Sequence, residues 1–136
     1  MSILDVNLSD HIEIKTLPDN SEVQLRIARA DVVPVKADPS RSQLALIFDV
    51  SDDPAVDDIR SWIGVPTEEF KSIDPKRYAK ACTRLLKFAK AFGMDTDEAL
   101  DTSKMVGLEG WAVLREEENE MTGDNQNSVK YFKDLK

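Results

Sequence analysis

A chain of 136 residues with 41% hydrophobic and 32% charged residues has the composition of one folded domain large enough to bury its own core. Its formal net charge of −8, from 18 Lys and Arg against 26 Asp and Glu, argues against DNA coating by the whole surface but not against binding through one local basic region. A single cysteine, Cys82, excludes an internal disulfide framework, and His11 is the only histidine, so catalysis of the Cys-His, Ser-His or zinc kind is not expected.

Met1 to Asn20 mixes Asp, Asn, Ser and Lys with scattered Ile and Leu and reads as a partly mobile lead-in, lacking the basic start and apolar run of a signal peptide. No later stretch approaches the roughly 18 apolar residues of a membrane span, so a cytoplasmic protein is expected. Leu17-Pro18-Asp19-Asn20 is a turn. Glu22 to Val33 then alternates, Val23, Leu25 and Ile27 against Gln24, Arg26 and Ala28, which predicts a first strand with one polar face. Pro34 to Ser42 carries two prolines and alternating charges and suits a hairpin loop. In Gln43 to Val50, Leu44, Leu46, Phe48 and Val50 alternate with Ala45, Ile47 and Asp49, a second strand.

Asp49 to Asp58 holds five aspartates around Pro54 but lacks the glycine and terminal glutamate of a calcium loop, so it reads as a solvated turn. Ile59 to Pro66 is a third strand, ended by proline, with Ile59, Ser61 and Ile63 on one face and Arg60 and Trp62 on the other. A base and a tryptophan on one strand face suit both phosphate pairing and base stacking; core packing of Trp62 is the other reading.

The strongest local signal runs from Asp74 to Gly93. Asp74 suits an N-cap, Pro75 the first helical position and Gly93 a left-handed stop. On a helical wheel Tyr78, Ala81, Cys82, Leu85, Leu86, Phe88, Ala89 and Phe92 share one arc, and Lys76, Arg77, Lys80, Arg84, Lys87 and Lys90 the opposite one. Seven of the 18 bases lie between positions 71 and 90 against one acid, Asp74, leaving 11 bases and 25 acids elsewhere. That cationic face is either a solvated surface balancing the acidic loops or an anion-facing one. Cys82, on the apolar arc, reads as a small buried hydrophobe.

Asp95 to Leu100 predicts one more helical turn. Leu108 to Arg115 is a fourth strand with glycines near its start, Glu116 to Gln126 an acidic hairpin loop, and Asn127 to Phe132 a fifth strand in which Val129 and Tyr131 alternate with Lys130 and Phe132.

Three strands, one helix, two strands is the element order of the OB-fold, a five-stranded, partly open barrel whose helix plugs one end. The expected fold is thus mainly β with one major helix, an OB-fold barrel over residues 21–136 behind the lead-in of residues 1–20. The chain also resembles the small phage-encoded OB-fold proteins that bind single-stranded DNA during replication and recombination. The resemblance is carried by Leu17-Pro18 to Ile27, by Leu85-Leu86-Lys87-Phe88 with Ala91-Phe92-Gly93, by Val106-Gly107-Leu108-Glu109-Gly110-Trp111-Ala112-Val113, and by Asn127-Ser128-Val129-Lys130-Tyr131-Phe132. Two features depart from that family. Strand one opens with Ser21-Glu22 rather than a glycine and an aromatic, and no acidic tail follows strand five.

The resemblance implies sequence-independent binding of single-stranded DNA in the cytoplasm of a phage-infected host cell, with no cofactor, no metal, no catalysis and no membrane. Replication or recombination proteins are the implied further partners, and a homodimer is left open. The implied stacking residues are Trp62, then Phe132 and Tyr131, with Trp111 expected in the core. The implied phosphate partners are Arg26, Arg60, Arg41, Lys130 and Lys133, with Lys80, Arg84 and Lys87 as secondary candidates. The alternative is an OB-fold protein-interaction module, an adaptor or inhibitor in a phage replication complex, whose acidic loops would dock on a basic surface. A metal-dependent nuclease is the least supported class, because the aspartates cluster in loops without a Lys or His at a recognisable spacing.

Overall fold

The computed structural model describes Ile3, residues 13–39 and residues 41–133. His11 and Asp134 to Lys136 lie outside the described residues, as does most of the expected lead-in.

Alternation becomes five antiparallel strands among the described residues, β1 (Glu22–Pro34), β2 (Ser42–Val50), β3 (Ile59–Gly64), β4 (Glu109–Glu118) and β5 (Asn125–Lys133). They form one sheet in the order β3-β2-β1-β4-β5. Inward positions Leu25, Ile27, Leu46, Phe48, Ile59, Ile63, Ala112 and Leu114 are fully or almost fully buried, while their neighbours in sequence are more exposed, except Val113, which is buried between Ala112 and Leu114. The edges β3 and β5 approach within 8 Å between Cα atoms in places, yet they share no ladder, so the sheet is not closed.

Two irregularities change which side chains share a face. In β1 the pairing passes from Ile27 opposite Phe48 to Arg29 opposite Ile47, leaving Ala28 as a bulge. Beyond it Ala30 turns inward and Arg29 outward. In β5 the pairing jumps from Leu114 opposite Val129 to Val113 opposite Tyr131, so Lys130 is the extra residue. Val129 and Phe132 both pack on the core, which corrects the expected alternation of that strand.

Two helices lie between β3 and β4: α1 (Glu68–Ile73), which the pattern did not predict, and α2 (Pro75–Ala91). Thr67 caps α1, its hydroxyl accepting from Phe70 N, and Asp74 caps α2, its carboxylate accepting from Arg77 N at 3.2 Å. Gly93, at φ 70°, supplies the left-handed stop expected after α2. The expected helical turn at Asp95 to Leu100 is absent: Asp95 takes the N–H of Asp97 on its own carboxylate at 2.9 Å, a local bond that competes with helix. A 3₁₀ turn at Thr102–Lys104 follows instead.

The end of α2 seats on the sheet through four rings. Phe48 stacks on Phe92 at 5.6 Å between centroids, Phe88 meets Phe92 at 5.0 Å, and Phe132 meets Phe88 at 5.2 Å. Gly110 on β4 lets the helix come this close, since a Cβ there would lie 2.6 Å from the Ala91 carbonyl oxygen and 2.8 Å from the Phe92 ring. Part of the expected lead-in is also held in place. Lys15 pairs with the backbone of Ala55 and Asp57, and the Asn127 amide brackets both backbone groups of Leu17 at 2.9 Å.

Candidate nucleic-acid interface

The predicted site residues fall into two regions separated by β3. The first is the outward face of β1, β2 and β3. Trp62 stands there 51% exposed, cross-strand from Ala45, and the exposed Arg60 lies cross-strand from Ile47. With Arg29, Asp31 and the stretch Ala45 to Ile47 of β2 they line a hollow of about 190 Å³. A large ring left in water beside apolar neighbours is a ready platform for a flat ligand.

The charges of this face are largely matched already. Arg29 Nε donates to Asp31 at 2.8 Å and Arg26 Nη2 to Asp49 at 2.8 Å, and that hydrogen bond holds the Arg26 guanidinium above its ordinary pKa. Asp58 is pushed above the usual carboxylate range by burial, then by its hydrogen bond to Asp49 and that neighbour's charge, while Arg60 pulls it back. Arg60 itself has no ion-pair partner among the described residues.

The second region is a groove of about 440 Å³ where α2 passes β5. Lys76, Lys80, Arg84 and Lys87 line it from the helix, Val129 to Phe132 from β5, and Ser61 from β3. No acidic residue lines it. The four helix cations are exposed and make no ion pair among the described residues. Tyr131, 53% exposed, stands at the same groove. Lys130 donates to the neutral Asn20 side chain at 2.8 Å, so its charge is not cancelled.

Several expected residues are placed differently. The half-buried Phe132 ring packs against Phe48, Phe88 and Phe92, so most of its contacts are with the core although it also borders the groove. Arg41 lies over the Phe70 ring of α1 at 4.3 Å. Lys133 bonds both carboxylate oxygens of Glu22 at 3.0 Å. Trp111, expected in the core, is half-buried outside the core cluster, on the side of β4 away from Ala112 and Leu114 and cross-strand from Gln24 and Lys133. Of the expected apolar arc of α2, only Phe88, Ala89 and the capping Phe92 are buried; Leu86 is 41% exposed and Cys82 half-buried.

Sequence reasoning missed Arg29, because strict alternation places it with Leu25 and Ile27. It also left Lys76 out of the site, although Lys76, Lys80 and Arg84 recur at the four-residue spacing that aligns side chains along a helix. Among the described residues no helix is long and apolar enough to cross a membrane. No protein-family model matches the chain, and no curated protein matches it.

Proposed function

We propose that the chain is an OB-fold protein that binds single-stranded DNA without sequence preference, in the setting of phage DNA replication or recombination. Support for the barrel comes from the order of its elements and the mutual approach of the edges β3 and β5, which an OB barrel brings together. The observation that carries the functional reading is Trp62, half exposed on β3 beside Arg60, on the strand two and three face that OB-folds use for oligonucleotides. An indole there accepts any unpaired base, and each stacked base is worth about 1–3 kcal/mol. A paired base has its faces covered by its neighbours, so a duplex offers this ring little.

Titration of intrinsic tryptophan fluorescence with oligo-dT and with a duplex of the same length tests the reading. Quenching by the single strand alone is expected, and Trp62→Ala should weaken binding by about 1–3 kcal/mol. Absence of any response at low salt would remove the reading. One observation favours a second one, a protein-interaction module: carboxylates already answer Arg26 and Arg29 on the sheet face, as a surface shaped for another protein could also have. Capture of a replication protein without oligonucleotide binding would select that alternative.

A further inference from the structure

Binding of a single strand draws on base stacking and on phosphate neutralisation, and in this protein the two resources sit in different places. The sheet face has the tryptophan, but Arg26 and Arg29 are matched by Asp49 and Asp31, and Asp58 adds a further carboxyl beside Asp49. Among the described residues Arg60 is the unpaired cation beside the tryptophan, whereas a whole row of them lies in the groove between α2 and β5, where Lys76, Lys80, Arg84, Lys87 and Lys130 line a surface with no acid. In a chain of net charge −8, a cationic surface lined by no acid is one that a polyanion can approach without local repulsion.

We infer that this groove is the phosphate track of the bound strand, and that one strand runs from the Trp62 face past β3 into it; the inference rests on the single-strand binding reading above. Three features of the geometry support it. At a rise of about 1.5 Å per residue, Lys76, Lys80, Arg84 and Lys87 follow one another at roughly 6, 6 and 4.5 Å along α2, a ladder comparable with successive phosphates of an extended strand. On β3, Arg60 and Trp62 face outward while Ser61 lines the groove, so a single strand of the sheet is the wall between the two regions. Tyr131 gives the groove one exposed ring, so a base carried along with its phosphate has a partner there. The occupant is a nucleic-acid backbone rather than an acidic peptide because the row of cations runs beside an exposed aromatic ring, and a single strand supplies both a phosphate for the cations and a base for the ring, whereas an acidic peptide supplies only the charge.

The test compares the full chain with the triple variant Lys80→Ala, Arg84→Ala, Lys87→Ala, using oligo-dT at several salt concentrations. Since each neutralised phosphate contributes about 0.7 to the slope of log affinity against log salt, the variant should be shallower by about 2 and bind at least about tenfold more weakly at low salt. Quenching of Trp62 at saturation should be retained, because the stacking face is untouched. Equal slope and equal affinity with quenching intact would overturn the groove track and leave the single-strand reading standing. No binding of oligo-dT by the unaltered chain would overturn both. Loss of polyglutamate capture in the variant, with oligo-dT binding unchanged, would assign the groove to an acidic peptide instead. A second triple with glutamine at the three positions repeats the comparison should the alanine variant fail to fold, and Arg84→Lys alone should keep the slope.

Discussion

The two ends of α2 follow the same sequence pattern, apolar arc against cationic arc, and meet different fates. From Phe88 onward the helix is seated: Phe88 and Ala89 are buried, and Phe92 closes on the rings of Phe48 and Phe132. From Pro75 to Lys87 no side chain is fully buried, although Leu85 packs partly against the core, and the helix also faces α1, where Lys71 lies over the Tyr78 ring at 5.5 Å, and the groove beside β5. Periodicity states which side of a helix is apolar. It does not state how far along the helix something is there to pack against, and along the less seated length Lys76, Lys80, Arg84 and Lys87 line an open groove.

The largest expected effect is at the seated end. Phe88→Ala should destabilise the fold by about 3–5 kcal/mol, because a fully buried ring with three aromatic neighbours leaves a cavity they cannot fill. Denaturant unfolding followed by circular dichroism reads it, and a loss below about 1 kcal/mol would mean that the rings do not anchor the helix. Gly110→Ala comes next, at about 1–3 kcal/mol, since the added methyl meets the Ala91 carbonyl and the Phe92 ring below 3 Å and backbone must shift. Gly64→Ala is the control: nothing lies within 4 Å of its added Cβ, and no clash penalty is expected. At the other end, Asp74→Ala removes the cap on Arg77 N and should cost about 1 kcal/mol, read as a lowered unfolding midpoint.

This contrast also explains how much of the molecule could be read from its sequence. Strand and helix types were legible wherever alternation or capping ran unbroken, as in β2, β3 and the frame of α2 from Asp74 to Gly93. Alternation also showed Trp62 and Arg60 sharing one face of β3, but it left open whether that face was core or surface, which the fold decides by leaving Trp62 51% exposed. What failed was anything set by an extra residue. The bulge at Ala28 turns Arg29 outward and the bulge at Lys130 turns Phe132 inward, and neither leaves a mark on composition. Only six residues long, α1 has no full apolar period to detect, although Thr67 with Glu68 and Glu69 carried a capping signal. The groove was illegible as a site because its two walls, α2 and β5, are separated in sequence by the whole of β4 and come together only in the folded chain.

The smallest effect on stability is expected at three residues whose loss should clearly weaken binding. Lys76, Lys80 and Arg84 succeed one another at four residues and Lys87 follows at three, so the exposed end of α2 carries like charges one turn apart, each such pair destabilising by about 0.2–0.5 kcal/mol. No carboxylate among the groove-lining residues offsets them. Alanine is at least as good a helix former as lysine or arginine, so replacing Lys80, Arg84 and Lys87 loses no propensity and relieves the repulsion. The triple variant should therefore unfold at the same denaturant concentration as the unaltered chain or slightly above it at low salt, with the gap closing as salt screens the charges. A loss of more than about 1 kcal/mol would show that the row of cations holds the helix in place, and the contrast between the two ends of α2 would dissolve. An unchanged or raised midpoint together with weakened oligo-dT binding would mean that the row is retained at a cost in stability, as charges kept for a polyanion are.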